Sequence, residues 1–126
     1  MKIRIFLKKY GISILLCLII LYLCLMDTQS LPKVKISNFD KFVHFTMFLT
    51  LSGVIYFENS RYFRRKISFW KMVNFSFIFP IIYGGLIEIG QEYLAPTRSG
   101  DWADFVFNGI GAFTGLMICL QINKRL

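Results

Sequence analysis

Asp40, Lys41 and His44 open one apolar segment of this chain; Glu88, Gln91 and Glu92 close a second; Asp101, Asp104 and Asn108 open a third. Carboxylates beside an imidazole can move a proton or hold a cation, and amides beside them can bind sugar or water. The spacing puts each group on one helix face: Asp40 and His44 at i,i+4; Glu88 with Gln91 at i+3 and Glu92 at i+4; Asp101, Asp104 and Asn108 at i, i+3, i+7. Arg98, in the short APTRSGD connection that Pro96 and Gly100 shape as a turn, carries a planar fork suited to carboxylate or phosphate. Lys41 supplies a second cation. His44, Glu88 and Asp104 are the candidates for acid–base work, and Asp40, His44, Asp101 and Asp104 could instead surround a divalent cation.

The rest of these segments is almost wholly Phe, Ile, Leu, Val and Gly. An ionisable group at the centre of a membrane helix costs roughly 2.5–3.5 kcal/mol on insertion scales and less near its ends. Polar groups gathered at the ends of such helices are least costly when they meet one another. The composition demands this kind of setting. The 126 residues are 56% hydrophobic, with 14 Phe and a net charge of +8. One domain of this length cannot hide so much apolar surface in a core, so the excess reads as lipid-facing.

Four membrane-spanning helices are predicted, at about 11–26, 39–57, 72–93 and 102–122, making an all-α bundle in a single domain. The first follows a basic start (Lys2, Arg4, Lys8, Lys9) without a small-residue cleavage site, and reads as a retained anchor. Pro80 falls inside the third, where the carbonyl it frees needs cover from a neighbouring helix. Gly111 and Gly115 form a GxxxG pair suited to close packing in the bundle or to a homo-oligomer. Cys17, Cys24 and Cys119 lie inside apolar runs with no metal-type spacing, so neither disulfide nor metal centre nor other cofactor is indicated.

Basic residues cluster at the N-terminus (four), in the 58–71 connection (Arg61, Arg64, Arg65, Lys66, Lys71) and at the C-terminus (Lys124, Arg125), eleven against the four at Lys33, Lys35, Lys41 and Arg98. That bias places both termini in the cytoplasm and brings all three polar sets to the outer leaflet of a bacterial cytoplasmic membrane. The same clustering at segment ends, with no aromatic-plus-basic motif, argues against nucleic acid as the partner.

The order Asp40-Lys41-x-x-His44-Phe45-x-x-Phe48, then Glu88-x-x-Gln91, then Pro96-x-Arg98 with Asp101, Asp104, Asn108, Gly111 and Gly115 resembles the VanZ-like family of small bacterial membrane proteins over about residues 39–118. The resemblance implies an integral membrane protein of the cell envelope. The family's named member is associated with low-level resistance to the glycopeptide teicoplanin, which gives a context and not a reaction.

Several functions stay open on the residues alone. The polar set can be an inter-helix network that fixes register. It can be a pocket for an anionic lipid headgroup or lipid-linked cell-wall intermediate, formed by Asp40, Lys41, His44, Glu88, Gln91, Arg98, Asp101, Asp104 and Asn108. It can be the centre of a lipid-modifying enzyme, although GxSxG and HExxH are both absent. A proton-coupled carrier would use the same residue types.

Overall fold

A computed structural model describes residues 2–25, 39–63, 68–94 and 102–125, with the side chains of 39, 40, 62, 63 and 123–125 left out of the description. Every regular element among these residues is helical: α1 (Lys2–Lys9), α2 (Gly11–Leu25), α3 (Phe39–Phe63), α4 (Phe69–Val73), a π-helical turn (Asn74–Ile78), α5 (Phe79–Tyr93) and α6 (Trp102–Arg125).

The burial pattern is inverted relative to a soluble bundle. Leu15, Leu18, Leu86, Ile89, Ile110 and Phe113 are 46–61% exposed, while His44, Ser52, Asn59, Gln91 and Asn108 are no more than 2% exposed. In water that exchange would be unfavourable on both counts; in lipid it is the expected one. The helix Phe69–Tyr93 and the helix residues Trp102–Ile122 are long and apolar enough to cross a membrane, and the pair α1 and α2 would add a third span if its 75° bend belongs to one crossing. The predicted span at 39–57 is not in that set. Its helix is 25 residues long but carries Asp40, Lys41, His44, Glu58 and Arg61, and those charges dilute the apolar signal that length alone would give.

Neighbouring residues fix how the helices run. Gly111 of α6 lies against the backbone of Phe45, and Gly115 against Leu49 and Ser52, so α3 and α6 are parallel. Phe77 meets Phe113, Gly85 meets Phe105, and Ile81 lies beside Gly109, which makes α5 antiparallel to α6. Tyr10 and Ser13 reach Asn59 and Glu58, while Ile20 and Cys24 share a cluster with Phe48 and Leu51, so α2 runs antiparallel to α3. The start of α3, the end of α5 and the start of α6 therefore lie at one end of the bundle.

Gly111 and Gly115 are both buried in the α3–α6 contact of the same chain. Packing within the bundle is one of the two uses that the sequence offered for the pair.

Pro80 is accommodated rather than sharply kinked. A π-helical turn precedes it inside the continuous helix Phe69–Tyr93, and the wider turn makes room for the proline ring. The carbonyl of Ser76, four residues upstream, accepts the Ser52 hydroxyl of α3 at 2.5 Å. This is the inter-helix cover that the sequence demanded. Ser52→Ala should lower stability by about 1–3 kcal/mol, and less in a Pro80→Ala background, where a backbone N–H is restored. A double-mutant cycle by thermal unfolding in detergent measures the difference.

Candidate functional site

His44 projects from the first turns of α3, Asp104 and Asn108 from the first turns of α6, and Glu88 and Gln91 from the last turns of α5. All five are buried, at 0–5% exposure. The i,i+3 and i,i+4 spacings that suggested common faces bury all five at one end of the bundle, and bring His44, Glu88, Asp104 and Asn108 to one centre. Glu92, grouped with Glu88 and Gln91 by spacing alone, points outward and is exposed.

His44 stands at the middle. Its Nδ1 lies 2.9 Å from Asn108 Oδ1, and its Nε2 lies 3.6 Å from Asp104 Oδ2. The first is a hydrogen-bond distance; the second is too long to be an ordinary hydrogen bond. Glu88 completes the group, with one ligand-type atom from each of His44, Glu88 and Asp104 lying within 4.8 Å of the others. Gln91 turns its amide to α2, where Nε2 donates to the Cys24 carbonyl at 2.9 Å. Asn108 Nδ2 and Gln91 Oε1 are among the buried polar atoms with no hydrogen-bond partner among the described residues. Such atoms are costly unless water or a ligand meets them.

Glycine makes the close approach possible. A side chain at Gly84 of α5 would meet Asn108 Nδ2 at 3.0 Å and the Phe48 ring at 3.2 Å. Lys41 is half-buried one turn before His44. The remaining predicted members, Arg98, Asp101 and the side chain of Asp40, lie outside the described residues.

The structure adds a second polar cluster at the opposite end, which the sequence reading missed by treating 58–71 as a connection. Helix α3 continues to Phe63, and Glu58 and Asn59 are buried at 6% and 0% exposure. Glu58 Oε1 accepts the backbone N–H of Ile12 at 2.9 Å, and its Oε2 accepts the Ser13 hydroxyl. The Tyr10 hydroxyl donates to Asn59 Oδ1 at 2.6 Å. A carboxylate on the first N–H groups of α2 satisfies donors that a helix start leaves open and suits its dipole. Burial first, and the charge of Glu58 second, raise the Tyr10 phenol above its ordinary value, so it remains a donor. The one sequence signal available was the acidic Glu58 in an otherwise basic stretch. Glu58→Ala should cost about 1–3 kcal/mol by thermal unfolding, and Glu58→Gln less, because an amide oxygen can still accept.

Between the two clusters lies an apolar cleft of about 370 Å³ walled by Cys17, Leu18, Ile55, Phe75 and Phe79 among others. The hydroxyls at its edge, Tyr10, Ser13 and Tyr83, already bond to Asn59, Glu58 and the Cys17 carbonyl. It offers a furrow for hydrocarbon, not chemistry.

A family model described as VanZ/LLP1 matches residues 6–123. Neither a curated relative nor a solved structure matches the chain.

Proposed function

The chain belongs to the VanZ/LLP1 family, and from that membership and the site geometry we propose that it is a four-span protein of the bacterial cytoplasmic membrane whose polar centre binds an anionic lipid headgroup or lipid-linked cell-wall intermediate. Helix α3 crosses the bilayer behind α2, α5 and α6, which take its His44, Ser52, Glu58 and Asn59 out of lipid. Both termini and the connection after α3 face the cytoplasm, as the basic-residue bias favours. The centre at His44 then sits at the outer leaflet, at headgroup depth, and Arg98 and Lys41 supply positive charge for phosphate.

The single observation that carries the reading is the incomplete hydrogen bonding of a fully buried centre. Asn108 Nδ2 and Gln91 Oε1 have no partner among the described residues, and buried polar atoms of this kind call for a water or a ligand. A headgroup with hydroxyl and phosphate oxygens offers both a donor and an acceptor. The reading extends to glycopeptide (teicoplanin) susceptibility as a cellular phenotype of losing that binding.

The test is lipid retention by the purified protein, incubated with vesicles of phosphatidylcholine, phosphatidylglycerol and a polyprenyl phosphate, with bound lipid identified by mass spectrometry. Retention of the anionic lipids should exceed that of phosphatidylcholine several-fold, and Arg98→Ala and Lys41→Ala should each reduce it. Unchanged selectivity in both variants would count decisively against the reading. The His44–Asp104 contact favours a second possibility, a lipid-modifying enzyme with His44 as its proton carrier. Only that one predicts a lipid of altered mass in the same spectra.

A further inference from the structure

We propose that His44, Glu88 and Asp104 form a divalent-cation site. Each ligand comes from a different helix, α3, α5 and α6, and the three donor atoms lie within 4.8 Å of one another. All three side chains are buried, at 1%, 5% and 4% exposure.

The imidazole carries the argument. In the tautomer that donates from Nδ1 to Asn108 Oδ1, 2.9 Å away, the Nε2 lone pair faces Asp104 Oδ2 at 3.6 Å. Two electron-rich atoms facing each other at that separation are poorly placed for a direct hydrogen bond and well placed to share an ion. A cation roughly 2.1–2.2 Å from each, the usual zinc–nitrogen and zinc–oxygen range, would see them about 110–120° apart, an opening that four- or five-coordinate zinc accepts. Asn108 then plays the part that outer partners of metal-bound histidines play, fixing tautomer and ring orientation.

Charge balance points the same way. Two carboxylates packed within one low-dielectric centre repel each other and would also repel a phosphate. A dication between them neutralises both and turns an acidic pocket into one that attracts an anion. The donor set of one imidazole nitrogen and carboxylate oxygens suits Zn²⁺ or Mn²⁺ better than Mg²⁺ or Ca²⁺, which favour all-oxygen surroundings. Buried Asn108 and Gln91 leave Nδ2 and Oε1 without a partner among the described residues. The ion deepens the headgroup reading and rests on it for its purpose, though its own evidence is the ligand geometry.

The chain contains one histidine, so a preparation purified through a tag free of histidine gives a clean assay. Stripped of metal in detergent, the wild-type protein should bind about one equivalent of Zn²⁺ or Mn²⁺ by calorimetry and elemental analysis, and its thermal midpoint should rise on binding. Glu88→Gln and Asp104→Asn, which keep side-chain shape, should each weaken binding at least tenfold, His44→Ala should abolish it, and Asn108→Ala should weaken it roughly 10–100-fold. Absence of saturable binding, or binding indifferent to both Glu88→Gln and Asp104→Asn, overturns the site. Lipid retention is repeated with and without EDTA. Selectivity for anionic lipid that survives complete chelation overturns the ion's role while the headgroup reading stands. Triad-dependent metal binding without lipid selectivity keeps the ion site and removes the headgroup reading.

Discussion

Gly111→Ala is expected to destabilise the protein by about 2–4 kcal/mol, more than any single change among the polar residues. The added methyl would collide with the backbone of Phe45, its carbonyl oxygen first. A side chain can rotate away, but a helix backbone cannot, so α3 and α6 must separate along their shared face. Gly115→Ala belongs to the same class, with Leu49 O at 2.6 Å and Ser52 Cβ at 3.1 Å from the new atom. The contrast lies at Gly53, where the nearest neighbour is the Cys119 Sγ at an ordinary 3.8 Å. Gly53→Ala should be neutral or slightly stabilising, since alanine is the better helix former by up to about 1 kcal/mol. Thermal unfolding of the three variants in one detergent checks this. Similar midpoints for Gly53→Ala and Gly111→Ala would refute the packing described. Because the α3–α6 contact also sets the distance from His44 to Asn108 and Asp104, Gly111→Ala should lose stability and lipid selectivity together.

The polar centre was legible in the sequence because helical spacing is a local property. His44, Glu88, Gln91, Asp104 and Asn108 each fall on a face fixed by residues three or four positions away, and the alternation of helix direction carried those faces to one end. The cover for Pro80 was legible for a similar reason: a missing donor is visible in the chain even when its substitute is not. What local pattern could not show was anything decided by a partner helix. Glu92 has the same spacing from Glu88 as Asn108 has from Asp104, yet it is exposed while Asn108 is buried. Glu58 and Asn59 read as loop because the donors they serve, Ile12, Ser13 and Tyr10, lie more than forty residues earlier. The grouping of His44 with Glu88 and Asp104 has no spacing motif at all, since each helix contributes one member.

Glu88→Gln should abolish selective retention of anionic lipid while moving the unfolding free energy by less than about 1 kcal/mol. Glutamine has nearly the shape of glutamate, so the packing around the last turns of α5 survives. It also relieves the repulsion between Glu88 and Asp104, which offsets whatever hydrogen bonding the carboxylate provides. A group retained for register alone would behave differently: inter-helix polar contacts in membranes are worth about 0.6 kcal/mol on average, and removing one should reduce stability and function in proportion. His44→Ala is the harsher version, because it opens a void beside Phe48 and strands Asn108 Oδ1, and so should affect both readouts. The informative comparison is therefore between Glu88→Gln and Gly111→Ala. If the centre exists to engage a headgroup, the first loses binding with the fold intact and the second loses binding because the fold is loosened. Lipid retention that falls in both variants only in step with the thermal midpoint would reduce the centre to a packing device and sink the binding function.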